Sequence, residues 1–283
     1  MSVPGSSVMD MDRWQAEPLP LWDGDLWDDE LRDDELSDDD SPRDGGEAST
    51  VQGPELPPWA RRVAVFDLET TGVDVTDDRI VTAHVGVLDE TGSVVSARDW
   101  LADPGIAIPE GATAVHGITT EHARSHGRPA REVVAEIVAE LRAMFSVGIP
   151  VVAYNASYDF SLLKHEALRH AISPIVDPSP IIDPLVLDKA YDRYRKGKRT
   201  LSVVAAHYAV ALDGAHDATA DAVAAGRLAQ AMAARFALPS TAVELHTQQI
   251  GWARSQAESL TEYFIRVGRL DPEDAVDGNW PIR

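Results

Sequence analysis

The chain has 283 residues, of which 44% are hydrophobic and none is cysteine. This composition supports one well-packed domain and excludes disulfides and thiolate metal sites. No apolar run reaches the roughly 20 residues needed to cross a bilayer, and residues 1–20 show neither a secretory signal nor an arginine-rich transit peptide. We therefore expect a soluble protein with no membrane partner, compatible with a reducing cytoplasm.

The formal charge of −22 is unevenly distributed along the chain. Residues 1–60 hold 17 acidic residues and 3 arginines, a net charge of −14, whereas residues 61–283 carry a net charge of −8. Residues 1–57 are predicted to form an acidic disordered tail, because their Asp and Glu are too dense for the chain to bury. The tail could be a solvated spacer or an electrostatic competitor of a polyanionic substrate. It could also bind a protein partner through its apolar residues, which are Trp22, Leu26, Trp27 and Leu31.

Residues 58–237 show the pattern of a mixed α/β domain. Three strands lead, joined in part by a turn at 89–92, and short strands alternating with helices follow. Strands are expected at 62–68, 79–88, 93–101, 150–153 and 180–182. Helices are expected at 130–145, 156–169, 184–194, 201–208 and 218–236. The predicted fold is a mixed five-stranded sheet, an antiparallel meander plus parallel strands, flanked by helices.

Residues 238–283 are predicted to form a C-terminal helical extension. A helix is expected at 247–269, where apolar side chains recur among polar ones. The extended segment 278–281 that follows should pack back on the domain.

The segment 63–72, VAVFDLETTG, ends an apolar strand with two acidic residues. Side chains alternate along a strand, so Asp67 and Glu69 point to one face and Leu68 to the other. Two carboxylates this close repel each other unless a proton or a cation lies between them. Hard divalent cations prefer oxygen ligands, so the pair indicates half of a magnesium or manganese site. A chain this acidic also produces such triplets by chance.

A third acid, Asp159, falls in the first turn of the predicted helix 156–169. Asn155 is predicted to be the N-cap of this helix. An acid in this position could complement the helix dipole without any further role.

A fourth acid, Asp221, lies one turn inside the helix 218–236, which Asp217 should cap. It shares its face with three apolar residues, Ala225, Leu228 and Met232. A carboxylate on a buried face is costly unless something cationic meets it, so Asp221 points to a metal site.

His216 precedes Asp221 by five residues and is expected on the loop before the helix. A lone histidine is most often a plain surface or core residue. Beside an oxygen-ligand metal cluster, however, an imidazole is a suitable general base for activating water.

The segments that carry these residues resemble the three motifs of the DEDDh (DnaQ-like) 3′-5′ exonuclease family. They are 66–72 (FDLETTG), 155–159 (NASYD) and 216–221 (HDATAD). A fourth segment, 115–119 (VHGIT), resembles a signature of the branch that contains the proofreading subunit of bacterial DNA polymerase III. The likeness spans residues 61–236, in the family's order. It implies an RNase H-like fold and hydrolysis of phosphodiester bonds at the 3′ end of single-stranded DNA or RNA.

Carried over residue by residue, the resemblance implies two divalent cations, Mg²⁺ or Mn²⁺. Asp67, Glu69 and Asp221 would hold the cation that activates water. Asp67 would also touch the second cation, and Asp159 would complete that second site. His216 would be the general base.

The resemblance also implies contacts to the 3′-terminal nucleotide. The residues concerned are Leu68, Thr70, Thr71, Gly72, His116 and Asn155. His116 could equally be a histidine of a turn with no role in binding. The basic run 193–199, RYRKGKR, could be a solvated helix end or could contact phosphates along the bound strand.

A free-standing nuclease is the function we expect first, with a place in DNA repair or DNA replication. The alternatives are a proofreading subunit associated with a DNA polymerase, an RNA-trimming exonuclease, or a nucleic-acid end-binding module recruited through the acidic tail. Proofreading predicts a segment that binds a sliding clamp, and residues 248–252, QQIGW, are only a poor likeness of one.

Overall fold

The computed structural model describes residues 56–212, 214 and 216–283, so the predicted acidic tail lies outside the described residues except for its last two. The strands are β1 (Val63–Thr70), β2 (Ile80–Leu88), β3 (Val94–Asp103), β4 (Arg128–Pro129), β5 (Val151–Val152) and β6 (Ile181–Ile182). The helices are α1 (Glu110–His116), α2 (Thr120–His126), α3 (Ala130–Ser146), α4 (Ala156–Arg169), α5 (Pro184–Tyr191), α6 (Leu201–His207), α7 (Ala218–Arg235) and α8 (Ala242–Arg266).

The strands form one mixed sheet in the order β4-β3-β2-β1-β5-β6. β1, β2 and β3 pair antiparallel, as the predicted meander requires. β5 pairs parallel to β1, and β6 pairs parallel to β5. The predicted α/β fold with a mixed sheet flanked by helices is therefore confirmed.

The predicted count of five strands is wrong, because β4 adds a sixth beside β3. β4 has only two residues, both exposed, and one of them is a proline. Such a segment has no hydrophobic alternation from which a strand could be predicted. The prediction also missed α1 and α2, whose seven residues each bury little or nothing.

The sheet buries a different core on each face. Val63 and Val65 pack in the cluster that contains the apolar face of α7. Ala64, Phe66 and Leu68 pack in the other cluster, with α3 and α4. This alternation along β1 continues to its end and directs Asp67 and Glu69 to the α7 side.

Helix α7 lies unusually close to the sheet at Gly226. A Cβ atom at this glycine would be 2.4 Å from Val65 Cγ1 and 2.6 Å from Leu88 Cδ1. The neighbouring buried residues of the helix are small, namely Ala222, Ala225 and Ala229. This close approach brings the first turn of α7, with Asp221, to the end of β1.

Helix α8 covers the outer edge of the sheet with side chains instead of a further strand. His246 Nδ1 accepts a hydrogen bond from the Ile181 N–H at 3.1 Å. Gln249 Nε2 donates to the Ile181 carbonyl at 2.9 Å, and Gln249 Oε1 accepts from the Asp183 N–H at 2.7 Å. These bonds satisfy backbone groups that an edge strand otherwise leaves open.

The helix of the extension starts at Ala242, five residues before its predicted start. Thr241 accepts a hydrogen bond from the Glu244 N–H and so caps the helix. Residues 248–252 lie inside this helix, and Gln249 is fully buried. Among the described residues, no helix is long and apolar enough to cross a membrane.

Gly226→Ala should destabilise the protein, because the added methyl group would overlap Val65 and Leu88. We expect the free energy of unfolding to fall by about 1–3 kcal/mol in urea denaturation. Gly251→Ala is the matched control, since a Cβ at that helical glycine meets nothing within 4 Å. It should be neutral or stabilise by up to about 1 kcal/mol. Equal unfolding midpoints for the two variants would contradict the close packing of α7.

Candidate active site

Three carboxylates from two elements meet at the end of β1. Asp67 and Glu69 end the strand, Asp221 comes from the first turn of α7, and one ligand oxygen of each lies within 4.8 Å of the others. Asp221 Oδ2 accepts a hydrogen bond from the His216 N–H at 3.2 Å, whereas its Oδ1 is buried and has no hydrogen-bond partner among the described residues. An unsatisfied buried carboxylate oxygen fits a cation. These three side chains can therefore hold a metal ion.

Asp159 approaches these three carboxylates from α4, and it is 2% exposed. Burial raises the pKa of Asp159 well above its usual range, and the charges of Asp183 and Glu69 add to this effect. The charge of Asp159 in turn raises the pKa of Asp67, so the fourth predicted acid lies near the other three.

Each of the four acids has a raised pKa, chiefly because of burial. Burial raises the pKa of Asp67 well above its ordinary value, and the charges of Asp159, Glu69 and Asp221 raise it further. Burial also raises the pKa of Glu69 to about 8, with added contributions from the charge of Asp221 and that of Asp217. Without a cation, the site therefore favours bound protons.

His216 lies on an exposed turn before α7, as predicted. Its backbone is left-handed, with φ at 68°, and its N–H donates to Asp221. The next residue, Asp217, caps α7 by accepting from the N–H groups of Thr219 and Ala220, which confirms the predicted cap. The imidazole is thus exposed beside the carboxylates, on a residue that precedes the first residue of α7.

Tyr158, which was not predicted as a site residue, ties the end of β1 to α4. Its hydroxyl lies 2.6 Å from Thr70 Oγ1 and donates to the Gly72 carbonyl at 2.6 Å. The Thr70 hydroxyl also bonds to the Gly72 carbonyl at 2.7 Å. Tyr158 stands in the 155–159 motif, directly before Asp159, so its position in the sequence was the available signal.

Thr71 and Gly72 pack against Asp78. Thr71 is 1% exposed, its hydroxyl donates to Asp78 Oδ1 at 2.7 Å, and it accepts from the Arg79 N–H at 3.0 Å. A Cβ at Gly72 would lie 2.5 Å from Asp78 Oδ2. Leu68 is 5% exposed, in the core beneath. The contacts of Leu68, Thr71 and Gly72 to a nucleotide stay predictions. The Thr71 hydroxyl already has hydrogen-bond partners inside the protein.

His116 ends α1 beside β1. Its Nδ1 accepts from the Ile118 N–H at 3.1 Å, which leaves the proton of a neutral ring on Nε2. Burial lowers the pKa of His116, while the nearby Thr70 carbonyl opposes this shift. The ring therefore lies against the strand end that carries Thr70, where a pocket residue was predicted.

Asn155 is the N-cap residue of α4, as predicted, but its side chain makes no cap bond. Its backbone is left-handed, with φ at 62°. The carboxylate of Asp183 supplies the cap bonds instead, because it accepts from the Asn155 N–H at 3.0 Å and from the Ala156 N–H at 2.9 Å. Asp183 follows β6, and the ends of parallel strands meet at one edge of a sheet. That rule was the signal that could have found it.

The basic run 193–199 divides into an inner and an outer set. Arg195 donates to Asp188 at 2.7 Å, and Arg199 also bonds to this buried carboxylate. These two arginines therefore form ion pairs inside the protein. The exposed residues of the run are Arg193, Tyr194 and Lys196.

A further contact that the sequence did not indicate fixes the start of α7. Thr219 donates to Asp99 Oδ1 at 2.9 Å, and this oxygen lies 2.7 Å from Nδ1 of the buried His84. The contact joins β2, β3 and the helix that carries Asp221.

The mixed sheet carries clustered carboxylates at the end of its central strand, and these could hold a metal ion. The family model described as exonuclease, RNase_T, matches residues 64–229, more than half of the chain. The chain therefore belongs to this exonuclease family.

Curated relatives are larger proteins. DNA polymerase III PolC-type from Streptococcus thermophilus is 32% identical over 165 residues, which are 58% of this chain and 10% of that protein. The counterpart from Lacticaseibacillus paracasei is 30% identical over 168 residues, 59% of this chain and 11% of that protein. The chain thus corresponds to about a tenth of the length of these relatives.

Solved structures of exonuclease I share the fold. The zinc-bound complex of E. coli exonuclease I with single-stranded DNA has a TM-score of 0.52 and 19% identity, covering 70% of this chain and 44% of that one. An exonuclease I from Methylocaldum szegediense has a TM-score of 0.50 and 19% identity, covering 71% of this chain and 45% of that one.

The raised pKa of Glu69 predicts a pH-dependent stability. Folding raises this pKa from 4.5 to about 8, so between these values the folded state holds a proton that the unfolded chain has released. The free energy of unfolding should therefore fall as pH rises through this window. Glu69→Gln should reduce the fall when urea unfolding is measured in EDTA. Glu258→Gln, at an exposed position of α8, should keep the full fall in the free energy of unfolding. An unchanged slope against pH in Glu69→Gln would refute the raised pKa of Glu69.

Proposed function

We propose that the protein is a 3′-5′ exonuclease that hydrolyses single-stranded DNA or RNA with two divalent cations, Mg²⁺ or Mn²⁺. The observation that carries the proposal is the convergence of four carboxylates from three elements, with a histidine on the adjoining turn. Asp67, Glu69 and Asp221 would hold one cation, and Asp67 and Asp159 would hold the second. When bound, such cations neutralise phosphate charge and lower the pKa of water.

His216 would accept the proton of the attacking water through an imidazole nitrogen. Its exposed turn allows the ring to approach and leave. The Asp221 carboxylate is linked to this turn by the His216 N–H. The same carboxylate thus serves the cation site and positions the base.

The exposed part of the basic run supports a path for the strand. Tyr194 is 87% exposed, and the guanidinium of Arg193 lies 5.9 Å from its ring centroid. Tyr154 donates to the Arg199 carbonyl, which ties this loop to the residue before Asn155. An exposed aromatic ring among cations suits a single strand, whose bases stack and whose phosphates are anionic.

A second candidate is proofreading for a DNA polymerase, in DNA replication. The observation in its favour is the likeness to polymerases of the PolC type. Against it, the segment that resembles a clamp-binding peptide lies in α8, with Gln249 bonded to β6. Recruitment of a protein partner through the acidic tail stays a prediction, since the tail lies outside the described residues.

Asp67→Ala and Asp221→Ala should each reduce hydrolysis to background while the protein stays folded. The removal of one repelling carboxylate takes away a cation ligand and relieves the metal-free cluster. The assay follows single-stranded DNA and RNA, labelled at the 5′ end, in Mg²⁺ or Mn²⁺, where stepwise shortening reports removal from the 3′ end. Asp274→Ala, at an exposed loop position, is the control. Wild-type rates in either variant, or release of the label as the first product, would refute the proposal.

His216→Ala should lower the hydrolysis rate by about 10²- to 10⁴-fold, the usual contribution of a general base. The cation concentration for half-maximal rate should change little, because the imidazole is not a proposed ligand. His126→Ala, a surface histidine of α2, is the control. A wild-type rate in His216→Ala would remove His216 from the mechanism.

A further inference from the structure

Asp183 is a buried hub at the end of β6. It is 1% exposed, and its carboxylate accepts hydrogen bonds from four donors. These are the N–H groups of Asn155 at 3.0 Å, Ala156 at 2.9 Å and Leu185 at 2.9 Å, and Trp280 Nε1 at 3.3 Å. A buried carboxylate needs such donors to remain ionised.

Two of these bonds fix the start of α4. Asn155 has a left-handed backbone, which asparagine adopts more readily than other residues except glycine, and its N–H is bonded to Asp183 Oδ1. The Ala156 N–H, which is the first of the helix, is satisfied by Asp183 Oδ2. Asp159 follows three residues later in the same turn. The position of the Asp183 carboxylate therefore determines where Asp159 stands.

The other side of Asp183 is held by residues beyond the family match, which ends at residue 229. Gln249 Oε1 accepts from the Asp183 N–H at 2.7 Å. Trp280 is 7% exposed, and its ring centroid lies 5.0 Å from that of His246. Its Nε1 donates to Asp183 Oδ2, the same oxygen that caps Ala156.

Residues 278–283 also contact α4 directly. The Arg283 N–H donates to the hydroxyl of the buried Ser161 at 2.8 Å, two residues after Asp159. Trp280 belongs to the core cluster that contains Phe160 and Leu162. The segment thus lies against both the helix and its cap.

We propose that Trp280, with Gln249 and His246, positions Asp159 for cation binding by holding the Asp183 carboxylate against the start of α4. The C-terminal extension is then a brace of the cation site. The proposal rests on the nuclease function inferred above for Asp159. Trp280 acts through Asp183 and touches neither substrate nor cation, so it is a positioning residue.

Trp280→Phe tests the brace, because it keeps an aromatic ring against His246 and removes the donor to Asp183. Trp252→Phe is the matched control, since that α8 ring packs edge-on against Tyr191 at 5.5 Å. Hydrogen exchange of amides 155–160 should accelerate about 5- to 10-fold in Trp280→Phe, the effect of one hydrogen bond, and less than about twofold in the control.

Cation binding and kinetics supply the second measurement. Calorimetric titration with Mn²⁺, without nucleic acid, should show binding weakened about 5- to 10-fold in Trp280→Phe and unchanged in Trp252→Phe. With a single-stranded oligonucleotide at fixed Mn²⁺, kcat should fall by a similar factor while KM stays constant, because the strand contacts are intact.

Equal exchange rates and equal Mn²⁺ binding in Trp280→Phe and wild type would overturn the brace. Equal loosening in both tryptophan variants would also overturn it, because that result means general destabilisation. If the wild type failed to hydrolyse any oligonucleotide, the proposed function would fail, and the exchange and calorimetric comparisons would still decide whether the extension positions Asp159.

Discussion

The clustering of four carboxylates, one of them buried and three half-buried, is the constraint on which the rest of this structure depends. Asp67, Glu69, Asp159 and Asp221 each have a raised pKa, in every case chiefly because of burial. Such a cluster persists only where the surrounding structure over-determines it. Three elements accordingly hold the four acids: the end of β1 carries Asp67 and Glu69, the first turn of α4 carries Asp159, and the first turn of α7 carries Asp221. The fold thus keeps close together carboxylates that would separate in an unfolded chain.

The supports of these three elements differ in kind. β1 is held by its two neighbours and by the alternation of its side chains between two cores. α7 is held by steric fit, since Gly226 allows the helix to rest on Val65 and Leu88. α4 is held by polar bonds, through Asp183 at its first N–H and through the Tyr158 hydroxyl at the end of β1. A substitution at the contact of α7 with the sheet should therefore affect the site by changing side-chain volume. A substitution at the start of α4 should affect it by removing a hydrogen bond.

The sequence predicts those parts of the site that depend on short-range periodicity. The period of two placed Asp67 and Glu69 on one face, and the helical period placed Asp221 with the buried Leu228 and Met232. The remaining parts depend on pairing between distant segments. Asp183 caps α4 only because β6 lies parallel to β5, and each of these strands has two residues. Asn155 stands at the N-cap position as predicted, but no nearby residue indicates that the distant Asp183 carboxylate supplies the cap bonds. His246 and Gln249 bond to β6 across more than 60 residues, a distance over which no local pattern carries information.

The arrangement of charge also bears on how an acidic chain would bind a polyanion. Residues 61–283 carry a net charge of −8, and two arginines of the one concentrated basic run are used to satisfy Asp188. Arg193 and Lys196 stay exposed in this run, so affinity for a strand would come from the bound cations, from these side chains and from stacking on exposed rings such as Tyr194. Counterion release scales with the number of phosphate contacts made by Lys and Arg, so the salt dependence of binding would report how many such contacts form. The carboxylates that repel each other in the metal-free site would also repel the phosphates of a strand. Binding of a strand would therefore require the same cations that hydrolysis requires.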